Sequence, residues 1–161
     1  MLLRVMVPSE TEFAAFLAEH EPRVHRALVA AHGVSEGRLA AHAAMTWAWE
    51  HWDRVAKMSN VAGYLYRVGM TSASRNRPRD VVTDRPLTGS VAGDLGVDLD
   101  VLAALDGLSP QQRVAVVLVH GHGYTLRDAG EVLGLNPSTV RIHAQRGLAK
   151  LRRTLEVQNV T

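Results

Sequence analysis

Between Tyr124 and Arg153 the apolar positions fall into two short helical registers separated by a tight turn. Leu126, Ala129, Val132 and Leu133 share one face of a first helix, with Thr125 placed to cap it and Ala129 small enough for a second helix to cross close by. Gly134 follows the last apolar residue, where a left-handed backbone closes a helix. Asn136-Pro137 then supplies the next cap and a first-turn proline. In the second helix Val140, Ala144, Leu148 and Leu151 recur at four, four and three, which makes them its buried stripe. At about 100° per residue, Ser138, Ile142, Gln145, Arg146 and Arg153 lie opposite that stripe, flanked by Arg141 on one side and Thr139 and Lys150 on the other. No acidic residue occurs from Ser138 to Arg153. The pattern is a helix-turn-helix with a cationic second helix.

The rest of the chain also reads as helix. Ser9 and Glu12 have capping-box spacing, and Phe13, Phe16 and Leu17 follow on one face. Pro22 is expected to interrupt this helix, with a second one carrying Val24, Ala27, Leu28 and Ala31 to an end near Gly33. Residues 38–55 are rich in Ala and Leu without Gly or Pro, and predict one continuous helix. Ser59-Asn60 marks a break. A helix then starts at Val61 with Leu65, Val68 and Tyr64 toward its buried side, and Arg75 to Arg79 extend it as a basic tail. Residues 80–98 carry Pro, Gly, Ser and Asp with little periodicity, as a tether does. Leu99, Leu102, Ala103 and Leu105 suggest a short helix, and Ser109-Pro110 opens another. Val114 to Val119 alone favours a strand, but the Ser-Pro start and helical neighbours predict helix. The expected architecture is all-α, with two small helical domains at 9–79 and 99–157 joined by an acidic linker at 80–98.

Composition narrows the partners. A net charge of +2 on 161 residues means that any nucleic-acid footprint must come from local clustering. Arg67, Arg75, Arg77 and Arg79 form one cluster; Arg141, Arg146, Lys150, Arg152 and Arg153 form another. The second cluster suits the major groove, where guanidinium groups pair bidentately with guanine while Lys, Ser and Thr hold phosphates. The chain has no Cys, so disulfides, thiolate zinc sites and cysteine nucleophiles are excluded, and a reducing cytoplasm fits. No apolar run approaches the roughly 20 residues needed to span a bilayer.

Candidate chemistry is sparse. His120 and His122 straddle a Gly-rich turn without a further ligand nearby, and His20 with His25 has none either, so no metal site is expected. No nucleophile with a partnered base, Gly-rich phosphate loop or paired carboxylate stands out, so neither an enzyme nor a cofactor is expected. Trp49 and Trp52, three apart, are expected to pack in the core.

The stretch LSPQQRVAVVLVHGHGYTLRDAGEVLGLNPSTVRIHAQRGLAKLRRTL, Leu108 to Leu155, resembles region 4 of bacterial extracytoplasmic-function sigma factors. Its Leu-Ser-Pro-x-x-Arg opening and Ser-Thr-Val-Arg…Arg-Gly-Leu-Ala-Lys-Leu-Arg ending are together specific. The helix-turn-helix core alone would also suit LuxR-type regulators. Ala48-Trp-Glu-His-Trp-Asp-Arg-Val and Asn60-Val-Ala-Gly-Tyr-Leu-Tyr-Arg-Val are similar to the region 2 pattern. The resemblance implies a protein that lends promoter specificity to RNA polymerase. Region 4 of the family reads the minus-thirty-five element and docks on the β flap. Region 2 docks on the β′ clamp helices and engages the minus-ten element during strand opening. By position, Arg141, Ile142, Gln145 and Arg146 would read bases; Ser138, Thr139, Lys150 and Arg153 would hold phosphates. Arg67, Arg75 and Arg77 would face the minus-ten region, and an anti-sigma factor is a possible partner.

One surface departs from the pattern. On the clamp-docking helix, where relatives usually carry acidic residues and Gln, this chain has Leu39, His42 and Ala43; Thr71 and Arg75 replace the Asn and Asp common further on. Two other readings therefore stand beside a sigma factor: a sigma-like DNA-binding regulator acting without core polymerase, and an interaction protein that titrates an anti-sigma partner.

Overall fold

The computed structural model describes residues 6–76 and 99–159. The tether predicted at 80–98, with Arg77 and Arg79, lies outside the described residues. The described residues form helices joined by short turns and irregular links, with no strand among them.

Helix α1 spans Glu10–His32 and opens on the capping box, the Ser9 hydroxyl accepting from the Glu12 amide while the Glu12 carboxylate accepts from the Ser9 amide. The break expected at Pro22 does not occur. A proline inside a helix costs roughly 3 kcal/mol, yet Phe16, Val24, Ala27, Leu28 and Ala31 form one buried stripe running past it on both sides. Fully burying a Val or Leu contributes roughly 1.5–3 kcal/mol. Two such side chains, Val24 and Leu28, bury completely only if the helix continues. Helix α2 spans Val34–Glu50. The single helix expected to Val55 stops at His51, which leaves helical geometry at φ −121°, ψ 38°, its ring stacked 4.3 Å from Trp47; the four-residue α3, Trp52–Val55, follows. Trp52, half-buried, packs edge-on against Phe13 as expected; Trp49 also meets Phe13 edge-on but is exposed, and so does not take the core place expected for it.

Helix α4, Val61–Asn76, lies against α1 and α2. Its seating depends on glycine: a Cβ on Gly69 would come 2.5 Å from Leu28 Cδ1. Helices α5 (Leu99–Asp106), α6 (Pro110–Val116), α7 (Leu126–Leu133) and α8 (Pro137–Asn159) build the C-terminal group. In α5 the buried residues are Leu102, Ala104 and Leu105, whereas Ala103 is exposed. Ser109 caps α6 and Pro110 opens it as expected, and Gln112 completes a capping box. The Val-rich stretch is helical, but it loosens into a π-helical turn at Val117–Gly121. There Val117 and Leu118 remain buried and His122 donates its amide to Val117 O.

The two groups of helices touch, α1 and α4 packing on α6 and α7. From α6, Arg113 donates through Nε to Ala30 O and through Nη2 to Ala31 O, both at 2.7 Å. Those carbonyls sit in the last turn of α1, where helix geometry provides no partner. Asn60 bridges the groups differently. Its Oδ1 accepts from Gly63 N at 3.1 Å and so caps α4, while its Nδ2 donates to Glu131 O in α7 at 2.8 Å. Around these bonds Arg23 lies 3.8 Å from Asp128 and 3.7 Å from Glu131, and Arg26 donates to the Tyr124 hydroxyl at 3.3 Å. Burial pushes the Tyr66 phenol up to about 12, against the pull of the Arg113 charge.

Candidate nucleic-acid interface

The geometry of the helix-turn-helix follows from its turn. Thr125 Oγ1 accepts from Asp128 N at 3.0 Å and starts α7. Gly134, at φ 66° and ψ 32°, ends it in the left-handed region that an L side chain rarely adopts. Leu135 then donates its amide to Gly130 O at 3.0 Å. The tightest approach in the motif is at Gly130, where a Cβ would lie 2.5 Å from Leu135 O. Ala129, which the sequence marked as the small crossing residue, is fully buried one position earlier. Pro137 opens α8, whose first turn hangs from Asn136 O through the amides of Thr139 and Val140.

Along α8 the expected stripe is inward: Val140, Ala144 and Leu151 are buried and Leu148 is half-buried. Gly147 is a buried member that the apolar pattern misses, because it carries no side chain to count. A Cβ there would meet Val116 Cγ2 at 2.7 Å and Gln112 O at 3.2 Å, so it sets the crossing of α8 on α6. Of the expected base-reading residues, Arg141, Ile142, Gln145 and Arg146 are all exposed on one side of α8. Among the expected phosphate contacts, Ser138 and Arg153 are exposed and Thr139 is half-buried. Lys150 has a second occupation, since its Nζ donates to Gly107 O at 2.7 Å across the turn between α5 and α6.

A second polar surface lies between α2 and α4. There a groove of about 810 Å³ is lined by residues that include Trp47, Tyr64, Arg67, Thr71 and Arg75. Trp47 and Tyr64 stand 5.1 Å apart, with the Arg54 guanidinium 5.3 Å from the Trp47 ring centre. Sequence reasoning named Trp49 and Trp52 and passed over Trp47. The available signal was helical phase: Trp47 is about 200° from Trp49 on α2 and faces the arginine-bearing α4. His42 and Ala43 line the same groove, together with Glu50, and Leu39 lies one turn earlier on α2; Leu39 is 71% exposed, His42 is exposed and Ala43 is half-buried.

Residues 98–151 match the family described as Sigma-70, region 4. The chain is 40% identical over 55 residues to RNA polymerase sigma factor CarQ of Myxococcus xanthus, and 36% over 72 residues to ECF RNA polymerase sigma factor SigE of Mycolicibacterium smegmatis. The chain is thus similar to RNA polymerase sigma factors, most specifically over the region 4 segment at residues 98–151. Those two stretches cover 34% and 45% of this chain, and only 32% and 28% of the length of the two relatives. A longer match, to RNA polymerase sigma-E factor of Streptomyces avermitilis, is 27% identical over 127 residues and covers 73% of this chain and 69% of that one. The fold is similar to that of sigma factor RpoE from Bartonella quintana, solved in complex with anti-sigma factor NepR. The TM-score is 0.60 at 19% identity, over 91% of this chain and 98% of that one. Among the described residues, no helix is long and apolar enough to cross a membrane.

Proposed function

We propose that the protein is a sigma factor giving promoter specificity to bacterial RNA polymerase, acting in the cytoplasm by recognition and not by catalysis. The observation that carries the reading is the exposed face of Arg141, Ile142, Gln145 and Arg146 on a helix with no acidic residue from Ser138 to Arg153, within a region 4 unit. In the minus-thirty-five element Arg141 and Arg146 pair with base edges, Gln145 reads beside them and Ile142 covers a thymine methyl. Ser138, Thr139 and Arg153 hold phosphates, and Lys150 joins them with the ammonium donors left over from its bond to Gly107 O. Arg67 and Arg75, with Arg77, serve the minus-ten region, where the Trp47 and Tyr64 rings beside cationic groups suit unpaired bases. Leu39, His42 and Ala43 meet the β′ clamp helices, region 4 meets the β flap, and an anti-sigma factor restrains the protein as NepR binds RpoE. Run-off transcription with purified core polymerase and a promoter library tests this: specific starts are expected, and their absence overturns it.

The lack of a carboxylate at Leu39, His42 and Ala43 themselves, with Glu36 and Glu50 the acidic residues nearest them on α2, favours a second reading, in which the protein binds promoter DNA as a regulator without core polymerase. Duplex binding that is specific without core, combined with no run-off product, would select it.

A further inference from the structure

Helix α2 is covered on one side only. Its fully buried residues centre on Ala44, and by helical phase His42 and Thr46 stand on the opposite side, exposed. Both line two open grooves, the one of about 810 Å³ toward α4 and another of about 640 Å³ toward α1, so this side of α2 is a ridge between them. Along the ridge Leu39, His42, Thr46 and Trp49 recur at three, four and three, the spacing with which one helix presents a seam to a second helix. The two large apolar members are exposed, Trp49 to 38% and Leu39 further, and lie about 15 Å apart at about 1.5 Å per residue. Arg38 and Glu50, exposed as well, flank the seam at its two ends, and no acidic residue occurs between them.

The seam is symmetric about its own middle. Counted outward from Ala44, His42 and Thr46 are equally distant, as are Leu39 and Trp49, and as are Arg38 and Glu50. A second α2 laid antiparallel across the first, with a two-fold axis at Ala44, therefore brings Leu39 level with Trp49 of the second copy, His42 level with Thr46 and Arg38 level with Glu50, each pair occurring twice. Every level is complementary. An aliphatic side chain meets an indole at both ends, and opposite charges flank them. At the centre Thr46 Oγ1 donates to His42 O of its own helix at 3.0 Å, which leaves its lone pairs free to accept from an imidazole N–H of the second copy. A polar pair inside an apolar seam fixes register. A parallel arrangement would instead set Arg38 against Arg38 and Glu50 against Glu50.

We propose that the exposed ridge of α2 is the interface of an antiparallel homodimer, with Leu39 of each copy seated on Trp49 of the other. The ridge carries its own complement, so a second copy of this chain is the occupant that its charges and apolar side chains fit. The consequence for regulation rests on the reading of the preceding subsection, in which Leu39, His42 and Ala43 meet the β′ clamp helices. Under that reading the dimer covers the docking face, and the protein stores itself in a form that cannot join core polymerase. Two apolar layers and a polar centre make a small interface, so a dissociation constant of about 10–100 μM is expected. Core, binding the same face more tightly, draws the monomer out by mass action.

The test is sedimentation equilibrium of the full chain up to about 500 μM, well above the expected dissociation constant. Wild type is expected to dimerise, and a wild type that stays monomeric throughout overturns the proposal. Leu39→Glu sets a carboxylate on the Trp49 ring of the second copy and should leave only monomer. Arg38→Glu alone puts two carboxylates level at each end, and Glu50→Arg alone puts two guanidinium groups there, so each should weaken association by about tenfold. Mixing these two preparations restores opposite charges at both ends, as does joining both changes in one chain, and the dimer should return in either case. Mixed variants that associate no better than each alone overturn the antiparallel register. Arg38 and Glu50 are solvent-exposed, and circular dichroism verifies that the variants keep their helix content, so the charge exchange carries the test even if Leu39→Glu does not fold. Core polymerase added to the wild-type dimer is expected to give a complex holding one copy. A complex holding two copies overturns the masking of the docking face and leaves the dimer standing. Sedimentation asks nothing of promoter or core, so a failure of run-off transcription removes the sigma-factor reading and the masking with it, and not the dimer.

Discussion

Gly130→Ala places two effects of known sign against each other. In a helix interior, replacing Gly by Ala contributes about 1 kcal/mol of stability through backbone entropy. At position 130 the new Cβ lies 2.5 Å from Leu135 O and 3.7 Å from Pro137 N, and both neighbours are backbone atoms that cannot swing aside. The Leu135 amide is bonded to Gly130 O at 3.0 Å, so the turn is pinned against the very residue that would push it away. Overpacking of this kind costs about 1–3 kcal/mol, which leaves a net loss of about 0–2 kcal/mol. At about 2–4 °C per kcal/mol for a chain of this size, the melting temperature should hold or fall by several degrees. The functional effect should be larger than the thermal one. Relief comes most readily by tilting α8 away from α7, which moves Arg141 and Arg146 relative to phosphates held by the rest of the motif. Calorimetry and binding to an upstream-element duplex, measured on the same preparation, read both effects. A variant that melts higher by the full helix-propensity gain and binds DNA as wild type would show that the close approach at Gly130 is not there, and the account of the turn would fall.

Arg146→Ala is expected to lose about 1–3 kcal/mol on the cognate duplex, about 5- to 150-fold, with little change on scrambled sequence; equal loss on both would remove its base-reading role. Lys150→Ala should weaken all sequences alike and also lower stability slightly, because it deletes the 2.7 Å bond to Gly107 O; an unchanged melting temperature would show that bond to be inert. Leu39→Asp with His42→Gln and Ala43→Asp puts two carboxylates on the expected clamp-docking face, each contributing about 0.2–1 kcal/mol against a basic partner surface. Tighter, more salt-sensitive core binding is expected, and unchanged binding would place docking elsewhere. The pH dependence follows from two histidines held below their usual range. His20 is lowered first by burial and then by Arg23, with Glu19 opposing; His122 is lowered by burial and then by Arg26. Since the unfolded chain binds these protons more readily, their contribution is present above about pH 6.5 and is lost as pH falls through the lower folded values. Melting temperature should therefore drop on acidification below about pH 6.5, and His122→Gln should flatten the slope; a slope unmoved by that change would contradict the assignment.

Features closed within a few residues could be read in advance. Ser9 with Glu12, Ser109 with Gln112, Thr125 with Asp128 and the left-handed Gly134 are local devices, each completing its bonds within about one turn. Errors arose where distant packing decided. Pro22 breaks a helix by local rules, but the buried stripe on both sides outweighs it. His51 ends α2 although nothing near it in sequence signals a stop. Val117–Gly121 loosens into a π turn whose cause is not evident from its own residues. For α8, periodicity alone put Arg141, Ile142, Gln145 and Arg146 on one exposed side, since an α-helix fixes relative phase without help from its surroundings. Lys150 escaped that logic because its partner, Gly107, is distant in sequence. The meeting of Arg113 with Ala30 and Ala31 was out of reach for the same reason.

Those bonds from Arg113 and Asn60 share one property, which is that every acceptor is a main-chain oxygen. A carbonyl is present whatever residue occupies the position. Ala30, Ala31 and Glu131 can therefore drift to other residues, within the space that packing allows, without losing the bond, and selection acts on the donor side alone. Positions 30 and 113, 31 and 113, or 60 and 131 should show no correlated substitution across descendants of this sequence, even though they are in direct contact. Arg23 with Asp128 and Glu131, which meet through side chains, are the pairs where compensating changes would surface. A contact map inferred from co-varying positions would accordingly detect the weaker, solvent-exposed part of this junction and leave its strongest bonds blank.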